Sequence, residues 1–205
     1  MSRKSARTGT HVFVNCPFDR QYQSISEAVI FTIHACGFYS RCALENADSD
    51  QVRLDKIIKM IGECELGIHD LSRVDTHGKL PRFNMPLELG LFLGAQKFGG
   101  KKSWRKACLV LEGERYQYQR FISDLAGVDP AAHFNQPEEA VGAVRRFLSG
   151  HRLDQDVPGR NRILERYRDF SGELPALLEA VEQDRESITF AEFRDYVERY
   201  VVQQR

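Results

Sequence analysis

Short apolar runs alternate along most of the chain with segments whose apolar positions recur at helical spacing. His11 to Cys16 is β-branched and aromatic, and Pro17 ends it because proline cannot continue a central ladder. Ile25, Ala28, Val29, Thr32, Ile33 and Cys36 then fall on one helical face, with Gly37 as a stop. Phe38 to Leu44 reads as a second strand. Beyond polar Glu45 to Ser49, Asp50 is placed to cap a helix striped by Leu54, Ile57, Ile58 and Ile61. Leu66 to Leu71 is a third strand, and Ser72 to Arg82 a polar loop of functional length. Met85 to Phe98 gives a third helix, in which Gly90 and Gly94 share a face. Ala107 to Leu111 is a fourth strand, Tyr116 to Ala126 a helix, Ala132 to Phe134 a short fifth strand, and Pro137 to Leu148 a helix with proline in its first turn.

Strands alternating with helices predict an α/β fold: a flavodoxin-like, doubly wound, mostly parallel five-stranded sheet of order 2-1-3-4-5 with right-handed crossovers. A polar stretch from Ser149 to Gly159 reads as a linker, dividing a domain over 1–150 from a C-terminal helical extension over 151–205. In that extension Ile163, Leu164, Tyr167 and Phe170 mark one helix, Leu174 to Val181 a second, and the capping box Thr189-Phe190-Ala191-Glu192 opens a third. Their apolar residues are expected to dock on the main domain, a second subunit or an effector partner.

With 205 residues, 42% of them hydrophobic, the chain can bury one full core. Basic and acidic side chains balance at 29 each, which argues against a sequence-independent grip on nucleic acid. The five cysteines are scattered and form no CxxC pair, so neither a disulfide framework nor a thiolate metal site is expected. No segment approaches a membrane span, and residues 1–10 lack the apolar run of a signal peptide, so a cytoplasmic location is expected.

Candidate chemistry narrows to carboxylates. Gly99-Gly100-Lys101-Lys102-Ser103 lacks the spacing and following helix of a phosphate-binding loop, and the six histidines show no metal spacing. Cys16 at a strand end is a nucleophile only if it escapes its ordinary role as a small buried hydrophobe. Asp70 closes the third strand and Glu88 lies in the first turns of the third helix. Strand ends and helix N-termini line one crevice in a parallel sheet, so the two acids are expected to converge there. A pair of carboxylates is the usual equipment for glycosidic cleavage. Each also has a plain role, Glu88 as an acid at a helix start and Asp70 as the cap of the Ser72-Arg73 turn. Glu88, however, sits between Leu87 and Leu89, and a buried carboxylate needs a reason. Arg53 and Lys56 are flanking charges, of which Arg53 has Glu45 or a ligand phosphate within reach.

On these residues the chain resembles TIR-like proteins and their relatives, the nucleoside 2-deoxyribosyltransferases, over roughly Thr10 to Gly150. His11 to Asp19 is similar to the opening strand and loop of TIR-like domains, Ile68-His69-Asp70-Leu71-Ser72 to their third strand, and Glu88-Leu89-Gly90 to the transferase signature. The chain departs in carrying Arg82-Phe83-Asn84-Met85-Pro86 before the glutamate and Glu45-Asn46-Ala47-Asp48-Ser49 after the second strand. The resemblance implies cleavage of the N-glycosidic bond of NAD or a related nucleotide, as in antiviral defence signalling. Glu88 would act on the ribosyl carbon, Asp70 and Asn84 would hold ribose hydroxyls, Phe18 would stack on the base, and Asp19, Glu45 and Arg53 would complete the substrate site. It implies no metal and no resident cofactor, NAD being substrate. Deoxyribosyl transfer or nucleotide N-glycosidase activity, and a catalytically silent nucleotide-sensing or assembly module, remain the alternatives.

Overall fold

The computed structural model describes residues 10–45, 52–74, 82–100, 103, 105–125, 127–152 and 156–204. Asp50, expected to cap a helix, lies outside them, as do Asn46 to Ser49 and residues 75–81 of the polar loop. The ordered elements are β1 (His11–Asn15), α1 (Gln23–Ala35), β2 (Tyr39–Arg41), α2 (Arg53–Glu63), β3 (Leu66–Asp70), α3 (Asn84–Phe98), β4 (Ala107–Glu112), β5 (Ala131–Ala132), α4 (Pro137–Ser149), α5 (Arg160–Glu179) and α6 (Phe190–Gln203). The strands form one parallel sheet of order β2-β1-β3-β4-β5, the expected flavodoxin-like arrangement. Val14 pairs with Ile68 and Asp70 with Leu111. Both faces are covered, so β3 is buried along its whole length.

Close packing explains two unusual core residues. A Cβ at Gly67 would come within 2.8 Å of His69 Nε2 and 2.9 Å of the Phe92 ring, so glycine in β3 lets α3 approach the sheet. Lys106 is buried because its Nζ donates to the Ile61 carbonyl at 2.5 Å and to the Cys64 carbonyl, satisfying the C-terminal end of α2.

Two sequence expectations fail locally. The helix expected over Tyr116 to Ala126 does not form across the described residues 116–125: Tyr116 takes a left-handed φ of 62°, followed by short 3-10 turns over Gln117–Arg120 and Ser123–Leu125. The buried Glu112 carboxylate accepts from the backbone N–H groups of Tyr116 and Tyr118, replacing the bonds a helix would have made. In the extension, the two expected helices are one helix, α5, running through Pro175. Proline removes one backbone bond, but Phe170, Leu174 and Leu178 remain on a continuous buried face.

That face joins the main core. Phe31 of α1 lies 5.5 Å from Phe170 and 6.1 Å from Tyr200, ring centre to ring centre, and Ile163, Phe193 and Val201 pack in the same cluster. Deleting residues 160–205 would bare the fully buried Phe31 and its neighbours on α1. The truncated chain is expected to aggregate in size-exclusion chromatography; a soluble monomer with an unchanged urea midpoint would show that α5 and α6 contribute little to the core.

Candidate active site

The carboxyl ends of β1 and β3 mark the point where the winding of the sheet reverses, the usual place for a ligand crevice. A cavity of about 500 Å³ opens beside it, between the β1–α1 loop, the residues after β2 and the start of α3. Asn15, the last residue of β1, fixes its floor: Nδ2 donates to the Met85 carbonyl at 2.9 Å and to His69 Nδ1 at 3.1 Å. Strand end and first helical turn are thereby tied together, which sets the position of Glu88 one turn on. Asn15 was not foreseen from the sequence, where a polar residue closing an apolar run was its only signal. His69, fully buried, has its pKa pushed down to about 3 by desolvation, so the ring stays neutral with its proton on Nε2.

Glu88 lines the cavity at 6% exposure and, among the described residues, has no hydrogen-bond or ion-pair partner. Desolvation raises its pKa to about 7, against a smaller opposing pull from Arg53. Phe18, Arg53 and Asn84 line the same cavity, together with Cys16, Arg82 and Phe83. Burial, then the nearby acids and Cys42, push the Cys16 thiol well above its ordinary pKa, which removes it as a nucleophile.

The other three expected residues lie elsewhere. Asp70 does not share the cavity with Glu88; it is fully buried, and four donors occupy its two oxygens. Oδ1 accepts from the Ser72 backbone N–H at 2.8 Å and from the Ser72 hydroxyl, while Oδ2 accepts from the Tyr22 hydroxyl and, at 3.1 Å, from His133 Nε2. The Asn135 N–H donates to His133 Nδ1 at 3.0 Å, which puts the ring proton on Nε2, facing Asp70. Burial opposes ionisation of Asp70, but the hydrogen bonds of His133, Ser72 and Tyr22 outweigh it and hold its pKa below the usual value. Its strand-end position and its role as cap of the turn at Ser72 were legible in the sequence; the remaining donors, Tyr22 before α1 and His133 after β5, were not.

Asp19 is paired at the cavity edge with Arg82 at 2.8 Å and Arg73 at 3.2 Å. Glu45 is clamped by Arg41 at 2.6 Å and by Arg194 of α6 at 3.0 Å, so it faces protein cations rather than the cavity. Phe190 of α6 meets Phe18 edge to face at 5.9 Å, so the extension buttresses the aromatic wall of the site. Among the described residues no group of three His, Cys, Asp or Glu side chains is arranged to hold a metal.

These environments set two expectations. The raised Glu88 pKa stabilises the fold below about pH 4.5 and loses that contribution as pH rises through about 7. In urea titrations Glu88→Gln should match wild type near pH 4 and exceed it by about 3 kcal/mol above pH 8; a pH-independent difference would show that Glu88 is not desolvated. Asp70→Ala leaves the Tyr22, Ser72 and His133 donors buried without their acceptor and should lower stability by about 3 kcal/mol in the same assay. A loss under about 0.5 kcal/mol, the range of an ordinary surface change, would contradict its structural role.

No protein-family model matches this chain, and a search of characterised proteins finds no match either, so its function has to be read from the chemistry of the cavity.

Proposed function

We propose that the protein cleaves the N-glycosidic bond of NAD or a closely related nucleotide, with Glu88 as the catalytic carboxylate. The observation that carries this is Glu88 itself: a buried acid without a partner among the described residues, in a cavity whose lining also includes two aromatic rings and two guanidinium groups. Phe18 and Phe83 offer faces for a base, Arg53 offers positive charge to phosphate, and Asn84 offers an amide to ribose hydroxyls. In the reaction the C–N bond breaks with its electron pair leaving on the base. Positive charge then grows on the ribosyl carbon, which the Glu88 carboxylate stabilises or captures, before water adds to that carbon and gives up a proton.

The separation of Asp70 from Glu88 narrows the substrate. Glu88 is the only carboxyl group among the described residues lining the cavity, so no second acid stands ready to protonate a departing base. A pyridinium base needs none, because it leaves as a neutral molecule. This favours an NAD-type bond over that of a neutral purine nucleoside, and so over deoxyribosyl transfer. The resemblance of His11 to Asp19 and of Ile68 to Ser72 to TIR-like proteins points the same way, whereas Glu88-Leu89-Gly90 is similar to the transferase signature and keeps deoxyribosyl transfer as the alternative.

Base release from NAD, nucleosides and nucleotides, followed by chromatography, tests the proposal. Wild type should release nicotinamide in preference to purines, with kcat/KM rising with pH through about 7 as Glu88 ionises. Glu88→Gln keeps the shape of the side chain but loses its charge, so kcat should fall by ~10²–10³ while NAD affinity persists. An active Gln variant, or binding of NAD by wild type with no base release, would replace the enzyme with a nucleotide-sensing module.

A further inference from the structure

A second cavity lies at the other side of the sheet, between β5 and α4, with a volume of about 710 Å³. It exists because its walls are built from small residues: β5 is Ala131–Ala132, and α4 presents Gly142 and Ala143. Arg160 covers Gly142 closely, since a Cβ there would come within 3.2 Å of its Nε. The size falls within the range of small-molecule sites.

Its charges are unevenly satisfied. Arg160 is paired with Glu139 at 2.8 Å, and Arg145 donates to the carbonyls of Pro158 and Val157. Both oxygens of Glu112 are taken by backbone N–H groups, which leaves Asp129, exposed at the rim, as the one lining carboxylate without a partner among the described residues. Arg115 and Arg146 line the same cavity, and among the described residues neither guanidinium group has a hydrogen bond or an ion pair. Guanidinium groups in that condition match phosphate oxygens in charge and in fork geometry.

Two exposed aromatic rings complete the cavity, Tyr116 at 53% and Phe134 at 49% exposure. Each is presented by strained backbone, with φ of 62° at Tyr116, 51° at Phe134 and 56° at the adjoining Asn135. Left-handed backbone is unfavourable for a non-glycine residue, and it persists where the surroundings over-determine it. Here the Glu112 carboxylate holds the Tyr116 N–H, and His133 Nδ1 holds the Asn135 N–H. The fold thus bears strain at two separate turns whose common result is a pair of aromatic faces on one cavity.

We infer that this cavity is a second ligand site, for an aromatic anion of mononucleotide size, with its base against Tyr116 and Phe134 and its phosphate on Arg115 and Arg146. Stacking supplies affinity for the base with little sequence preference, and the two guanidinium groups require the phosphate. This site is independent of the Glu88 reaction.

AMP, adenosine and inorganic phosphate serve as probes for the full chain, with calorimetry giving affinity and hydrogen exchange giving location. AMP should protect residues 112–118 and 131–146, and each half of the ligand alone should bind at least about tenfold more weakly. The variant R115A/R146A changes two exposed side chains, so it should melt as wild type does. Its AMP protection at 112–118 and 131–146 should vanish, while any protection at 14–18 and 82–88 is retained. The inference is overturned if AMP binds more weakly than about 1 mM, protects only the Glu88 cavity, or protects the double variant equally. Phosphate binding as tightly as AMP overturns it too, because the site would then be a simple anion patch. None of these outcomes depends on base release, so the failure of this site and of the Glu88 proposal are separately visible.

Discussion

The carboxylate of Asp70 is the constraint on which the carboxyl edge of this sheet depends. A buried charge is tolerated only when its hydrogen-bonding capacity is filled, and here the donors come from three separate places in the chain: Tyr22 at the start of α1, Ser72 after β3, and His133 after β5. Meeting that requirement holds the α1 entrance and the β5–α4 turn against the end of the central strand. The His133 ring is held in turn by the Asn135 N–H, which donates to Nδ1, so the hub reaches backbone beyond the buried side chains.

The two cavities flank this hub. On one side the β1–α1 loop, which leads into Tyr22, carries Phe18 and Cys16 to the wall beside Glu88. On the other, Phe134 directly follows His133 and faces the groove beneath α4. Satisfied and unsatisfied polar groups divide accordingly. Asp70, Glu112 and Glu45 are spent on holding the protein together, whereas Glu88, Arg115 and Arg146 have no protein partner among the described residues. Groups that the fold does not use are the ones on which both proposals rest.

The helical extension belongs to the same physical picture. Its aromatic residues close over Phe31 of α1, and Arg194 stacks on Tyr39 at 4.7 Å while pairing with Glu45. The segments after β1 and β2 therefore have α6 behind them, which restricts how far the wall of the Glu88 cavity can open.

The sequence by itself determined the sheet and singled out Glu88 as a candidate. Period-two and period-3.6 patterns are local properties, and they were sufficient for five parallel strands in the order 2-1-3-4-5, for the helices that cover them and for the Thr189 capping box. Glu88 was legible because a charge between Leu87 and Leu89 on an apolar helix is a local anomaly. Only the tertiary structure decided that Asp70 faces Tyr22 and His133 instead of Glu88, that Glu45 is claimed by Arg194, and that Asn15 pins α3. It also decided that Glu112 breaks the helix expected after it and that Pro175 does not break α5. Each of these outcomes depends on which distant group meets a buried polar atom or an apolar face, and separation in space is what a pattern along the chain does not encode.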